Sequence, residues 1–262
     1  QCRHHKRKLS VNIDKNVFKC WICEYSGRTI RRLVRKHGTF KLRQEWDELD
    51  GRVDISRFDE LFSEEVEEEV EQVVPLPPKF ASLANKSLPL AARIPLKYLQ
   101  DRGVTRSDIL RWKIGYCTSG QYSDRVVVPS FGLSGRPNYF VARSYKGNWN
   151  KYMNPQASRD IIFNELYLDF DADLVIVEGI FDAIIAGPNA VPILGSNLSE
   201  RSILFQEIVK NDTPIYIALD PDAEKKALKL IENLLEYGIE LHKVNISPYS
   251  DVGEMTKEEF QK

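Results

Sequence analysis

Acidic side chains stand where short apolar runs stop. Glu178 follows 173–177, Asp220 and Asp222 follow 214–219, and Asp251, with Glu254 nearby, follows 240–246. Each alone is what a loop or a helix cap commonly carries. Gathered on one site, such carboxylates repel one another, and a divalent cation relieves that cost. Oxygen donors without nearby His or Cys suit Mg²⁺ or Mn²⁺. A second group, Cys20-Trp21-Ile22-Cys23 with Cys2, His4 and His5 upstream, has the spacing of a metal or redox pair. Tetrahedral zinc takes four ligands, usually as two pairs. Cys20 and Cys23 supply one pair and Cys2 one member of the other. The fourth ligand is either His5 or a cysteine lying before residue 1.

The elements that must carry these groups are legible. Short apolar runs at 173–177, 190–194, 214–219 and 240–246 alternate with helical patterns through 185, over 200–209 and over 223–237. That alternation predicts a parallel, layered α/β sheet, whose working edge lies at the carboxyl ends of its strands. Upstream, a helix contains Leu96-Lys97-Tyr98-Leu99 and ends at Gly103, and Thr105 with Asp108 opens another. Strands over 125–129 and 138–143 form a hairpin, and 149–153 reads as a further strand. At the N-terminus, 9–12 and 16–18 pair as strands before a Cys knuckle, and a basic helix from Thr29 to His37 stops at Gly38.

The overall balance of 37 Lys+Arg against 38 Asp+Glu hides a segregated charge. Residues 1–43 carry 13 basic and 2 acidic side chains; residues 45–71 carry 13 acidic and 2 basic. Residues 79–159 return to 14 basic against 3 acidic, and 160–262 hold 20 acidic against 8 basic. The basic blocks suit a polyanion, and the last acidic block suits divalent metal. The run 44–78, with Pro75, Pro77 and Pro78 at its end, is too polar to pack firmly and reads as a flexible linker. No stretch approaches the ~18 apolar residues of a membrane span, and no apolar signal region follows the basic N-terminus. The compartment expected is the cytoplasm.

Val-Ile-Val-Glu178-Gly179-x-x-Asp182 followed by Ala-Leu-Asp220-Pro-Asp222 resembles the Toprim (topoisomerase–primase) pattern, and Leu194 to Ser199 resembles the stretch between its motifs. Upstream, Ala142-Arg143 with Asn150-Lys151-Tyr152-Met153-Asn154-Pro155, Tyr98-Leu99-x-x-Arg102-Gly103, and Asp124-Arg125-Val-Val-Val-Pro129 are similar to motifs of DnaG-type bacterial and phage primases. Phe18-Lys19-Cys20-Trp21-x-Cys23…Gly27 resembles their zinc knuckle. The resemblance implies a Toprim-type parallel-sheet core preceded by an α+β subdomain and a small zinc ribbon. Their bounds would be 1–43 for the zinc module, 44–78 for the linker, 79–171 for the basic subdomain and 172–262 for the Toprim subdomain.

It further implies a DNA primase that makes short RNA primers on single-stranded DNA from ribonucleoside triphosphates. Glu178 would act as acid/base, with Asp182, Asp220, Asp222 and Asp251 joining it in holding Mg²⁺ or Mn²⁺. Arg125, Arg143 and Lys151 would contact nucleotide phosphates, and Cys2, Cys20, Cys23 and His5 are the zinc candidates. The last motif, Asp251-x-x-Glu254, departs from the family's denser Asp-x-Asp. A replicative helicase is the expected partner, in the host cytoplasm if the chain is phage-encoded. A Toprim nuclease and a non-catalytic single-strand-binding module are the rival readings. Trp21 either stacks on a template base or packs under the zinc site, Cys117 is a core thiol, and His242 is a strand residue facing solvent.

Overall fold

The structure is a computed structural model that describes residues 8–27, 29–49, 71–147, 150–195, 198–220 and 224–261. Cys2, His4, His5 and Asp222 therefore lie outside the described residues, as do Trp149 and most of the acidic run. The chain divides into two compact units, Gln1–Glu69 and Val70–Lys262.

In the first unit, strands Leu9–Asn12 (β1), Val17–Cys20 (β2) and Ser26–Gly27 (β3) form an antiparallel sheet in that order. Leu9 faces Cys20 and Asn12 faces Val17 across the first hairpin. Asn16 turns the chain in the left-handed region (φ 51°), which Asn tolerates. Its side-chain oxygen accepts the Ile30 N–H at 2.9 Å, tying the hairpin to the start of helix Ile30–His37 (α1). That helix ends as the sequence predicts, with the Gly38 N–H donating to the Val34 carbonyl at 2.7 Å. A further helix, Phe40–Leu49 (α2), runs across the expected boundary at 43. The first acidic residues of the presumed linker are thus helical, supported by strong helix formers and a Lys41–Glu45 pair one turn apart.

The second unit contains two four-stranded sheets. Ala81–Ser82 (β4), Gly115–Cys117 (β5), Arg125–Phe131 (β6) and Pro137–Ser144 (β7) form an antiparallel sheet in chain order. Helices Arg93–Gln100 (α3) and Arg106–Arg111 (α4) intervene between β4 and β5. Thr105 and Asp108 close a reciprocal capping box on α4, as expected. Leu174–Val177 (β8), Ala190–Pro192 (β9), Ile215–Ala218 (β10) and Leu241–Lys243 (β11) form the parallel sheet, in the order β11-β10-β8-β9. Helices Ile180–Ala186 (α5), Ile203–Asn211 (α6) and Glu224–Glu236 (α7) connect its strands, and a short helix, Lys257–Phe260 (α8), follows it.

One continuous core serves both sheets: Trp112, Ile114, Val128 and Tyr139 pack in the same cluster as Ile176, Ile184, Leu204 and Ile217. The basic and acidic halves are therefore held against each other by buried apolar surface. Lys257 on α8 adds a largely buried ion pair to Asp108 on α4.

The proline-rich end of the presumed linker is packed. The Val74 N–H donates to the Pro137 carbonyl at 2.8 Å, and Gln72 bonds the backbone of Asn138 and Ser158. Val74, Leu76 and Phe80 cover a small cluster of Cys117, Val127, Phe140 and Ala142. Spaced apolar residues among prolines supply that contact without helical or strand periodicity. Residues 150–153 form no strand; Tyr152 makes an isolated antiparallel bridge to Arg143. Cys117 is the core thiol expected, and burial pushes its pKa up to about 11. His242 is only partly exposed, stacked on Tyr216 with ring centroids 5.0 Å apart. Among the described residues no helix is long and apolar enough to cross a membrane.

Candidate active site and nucleic-acid interface

The parallel sheet places the acidic residues at its carboxyl edge. Glu178 follows β8, Asp220 follows β10, and Asp251 lies in the loop beyond β11. Asp182 sits in the first turn of α5, where two backbone N–H groups engage the carboxylate expected to hold metal. One carboxylate oxygen accepts the Gly179 N–H at 2.8 Å and the other accepts the Gly253 N–H at 2.9 Å. The side chain is thus a brace between the turn carrying Glu178 and the loop carrying Asp251. A Cβ at either glycine would stand 2.9 Å from an Asp182 oxygen and would push the carboxylate out of this position.

Burial pushes the Asp182 carboxyl above the usual range, the two N–H groups draw it down, and the charges of Asp251 and Glu178 push it up again. Three carboxylates therefore share one electrostatic neighbourhood. Among the described residues no three His, Cys, Asp or Glu side chains are drawn together closely enough to hold a metal ion. Asp222 lies outside the described residues, so it has no place in that geometry. The donor set itself, all carboxylate, suits a hard divalent ion.

The cationic half meets the acidic half at Phe181. The Arg143 guanidinium lies 5.3 Å from the Phe181 ring centroid and 4.9 Å from that of Tyr152, whose hydroxyl it also bonds. Arg102 lies 4.9 Å from the Phe181 centroid and 5.1 Å from that of Tyr98. Tyr98 meets Phe181 edge-on, with centroids 6.3 Å apart at 83°. Sequence reasoning missed this cluster. The four-residue spacing of Tyr98 and Arg102 is the available signal; Phe181, inside the apolar run of α5, carries none.

Lys151 is exposed, as a phosphate contact requires. Arg125 is not: at 4% exposure, it donates to the carbonyls of Lys151 (3.2 Å) and Asn150 (3.0 Å). The guanidinium expected to contact phosphate is thus engaged with two backbone carbonyls. Its two terminal nitrogens fix the segment that presents Lys151, while its Nε is buried without a hydrogen-bond partner among the described residues.

In the first unit, Cys20 is buried at the end of β2 and Cys23 is exposed in the following turn. That turn is anchored by the Trp21 N–H on the Lys8 carbonyl (3.0 Å) and the Cys20 N–H on the Tyr25 carbonyl (2.7 Å). Two thiol ligand candidates at the ends of one turn fit half a zinc site. Trp21 does not pack beneath it. It is 65% exposed, its indole N–H donates to Ser10 Oγ at 2.8 Å, and the Lys19 ammonium lies 5.3 Å from its ring.

The parallel four-stranded sheet and the adjoining antiparallel sheet make a mixed α/β fold, consistent with that of a primase catalytic core. Over 189 residues, 66% of this chain, the sequence is 26% identical to the DNA primase of Thermotoga maritima, and the chain spans about a third (34%) of that relative's length. No family model matches the chain. In fold it is similar to a DnaG primase catalytic domain bound to single-stranded DNA (TM-score 0.56, 19% identity, 66% of this chain and 71% of that one). It is also similar to the zinc-binding and RNA polymerase domains of the Aquifex aeolicus primase (TM-score 0.55, 20% identity, 99% of this chain and 76% of that one).

Proposed function

We propose that the chain is a DNA primase, synthesising short RNA primers on single-stranded DNA by condensing ribonucleoside triphosphates. The observation that carries the reading is the apposition just described: Arg143 and Arg102 rest on Phe181, one residue from the Asp182 brace and three from Glu178. Joining two nucleotides needs metal-held charge on one side of a triphosphate and fixed cations on the other. The 26% identity with a DNA primase supports the same reading.

In this proposal the subdomain from 172 is Toprim-type, and Glu178, Asp220, Asp222 and Asp251 hold Mg²⁺ or Mn²⁺. The bound ion would neutralise triphosphate charge and ease deprotonation of the attacking 3′-hydroxyl. Arg143 and Lys151 bind the phosphates, and Glu178 accepts the 3′-hydroxyl proton. Arg125 holds the Lys151 segment, and Asp182 keeps the Glu178 turn and the Asp251 loop together. The first unit is a zinc ribbon held by Cys20, Cys23, Cys2 and either His5 or a further cysteine. It reads template, with Trp21 stacking on a base and Arg31, Arg32 and Arg35 contacting phosphates. A replicative helicase is the proposed partner.

The test is synthesis of labelled RNA on single-stranded DNA with Mg²⁺ or Mn²⁺, with Asp220→Ala as control. Short RNA products lost in the variant support the proposal. Degradation of the DNA would mean a nuclease, and retention without chemistry would mean a binding module.

A further inference from the structure

We infer that Phe181 is a positioning residue whose ring face holds the Arg102 and Arg143 guanidiniums where they meet the triphosphate. The inference deepens the proposed primase function and rests on its phosphate-binding half. Two like charges near one another are held apart by repulsion unless something between them attracts both. An aromatic face is negative at its centre and does this without neutralising either charge. Phe181 lies within cation–π reach of both guanidiniums, at 4.9 and 5.3 Å. A carboxylate in its place would cancel the charge that phosphate binding needs.

The ring is well fixed. It is 5% exposed, Tyr98 abuts it edge-on, and it belongs to the first turn of α5. The next residue is Asp182, bonded to Gly179 and Gly253. The cationic platform and the carboxylate turn are consequently carried by one short rigid stretch. Each arginine also has a second ring beside it, Tyr98 for Arg102 and Tyr152 for Arg143, which leaves Phe181 as the ring they share.

The experiment replaces Phe181 in the full chain with 4-fluoro-, 3,5-difluoro- and 3,4,5-trifluorophenylalanine. Fluorine withdraws charge from the ring face with little change of shape, so packing is kept while the attraction fades. The KM for ribonucleoside triphosphate should climb stepwise, by about five- to tenfold at the trifluoro ring. Meanwhile kcat should change by less than about twofold and the melting temperature should hold. In parallel, the dissociation constant of inorganic tripolyphosphate should weaken in the same order. A flat KM and a flat dissociation constant across the series would overturn the inference. If the native chain makes no primers, the primase reading fails, and tripolyphosphate binding alone decides this point: graded weakening supports the platform, and no binding or no gradation overturns it.

Discussion

Asp182 and Gly253 are 71 positions apart, and a 2.9 Å hydrogen bond from the Gly253 N–H to Asp182 Oδ1 joins the first strand end of the parallel sheet to the loop beyond its last. The partner oxygen, Oδ2, holds Gly179. Removing this carboxylate should strand two backbone donors. Asp182→Ala is expected to lose about 2–4 kcal/mol of stability in urea unfolding and to abolish primer synthesis. Asp182→Asn, whose single amide oxygen cannot accept both bonds as the carboxylate does, should fall between. An unchanged unfolding midpoint in the alanine variant would refute the brace.

Arg125 and Lys151 should separate support from contact. Arg125→Ala removes a buried guanidinium bonded to two carbonyls and should cost about 2 kcal/mol or more; Lys151→Ala, at an exposed position, should change stability by less than about 0.5 kcal/mol. Both should depress primer synthesis, Lys151→Ala through the KM for nucleotide. Thermal unfolding beside steady-state kinetics checks the split. Equal destabilisation by the two would contradict it.

The Asp108–Lys257 pair predicts an acid-sensitive joint between α4 and α8. Burial pushes the Asp108 carboxyl up, but the bonds from Lys257 and Thr105 outweigh it and leave the pKa below the ordinary value. A lowered pKa means the unfolded chain takes up protons first as pH falls. The stabilisation is full above about pH 4 and is lost as pH falls through the folded-state pKa. Lys257→Met should cost about 1–2 kcal/mol at pH 7 and show a shallower decline as pH falls below about 4. A decline as steep as that of the native chain would argue against the pair.

Zinc removal should act on one unit. A chelator, or Cys20→Ser, should release bound zinc and unfold the sheet and helices of the first unit, while the thermal transition of the second unit persists. Cys117, buried with its thiol pKa pushed up to about 11, should resist alkylation at pH 8 in either state. Metal analysis with thiol mapping by mass spectrometry reads both. Loss of the second transition on chelation would contradict the assignment.

Divalent metal should stabilise the second unit. Mn²⁺ or Mg²⁺ at about tenfold its dissociation constant should add about 1.4 kcal/mol to unfolding, and Asp220→Ala or Asp251→Ala should remove that gain. A metal response unaltered by either substitution would move the site elsewhere.

The sequence alone determined what depends on short-range pattern. Apolar runs of strand length between helical stretches specified the parallel sheet, because period and length follow from backbone geometry. Thr105 with Asp108, and Gly38 after His37, marked helix ends because unpaired backbone groups need local partners. It also placed Glu178, Asp220 and Asp251 at strand ends, since chain order fixes which residue follows a strand. Tertiary structure decided where each side chain spends its bonds. Asp182 became a brace only because Gly253 arrives from the far end of the sheet, and Arg125 turned inward only because the carbonyls of Asn150 and Lys151 lie beside β6. Phe181 acquired two guanidiniums from separate segments, Arg102 just beyond α3 and Arg143 on β7. Such partners are set by packing between distant segments, and no local spacing records them.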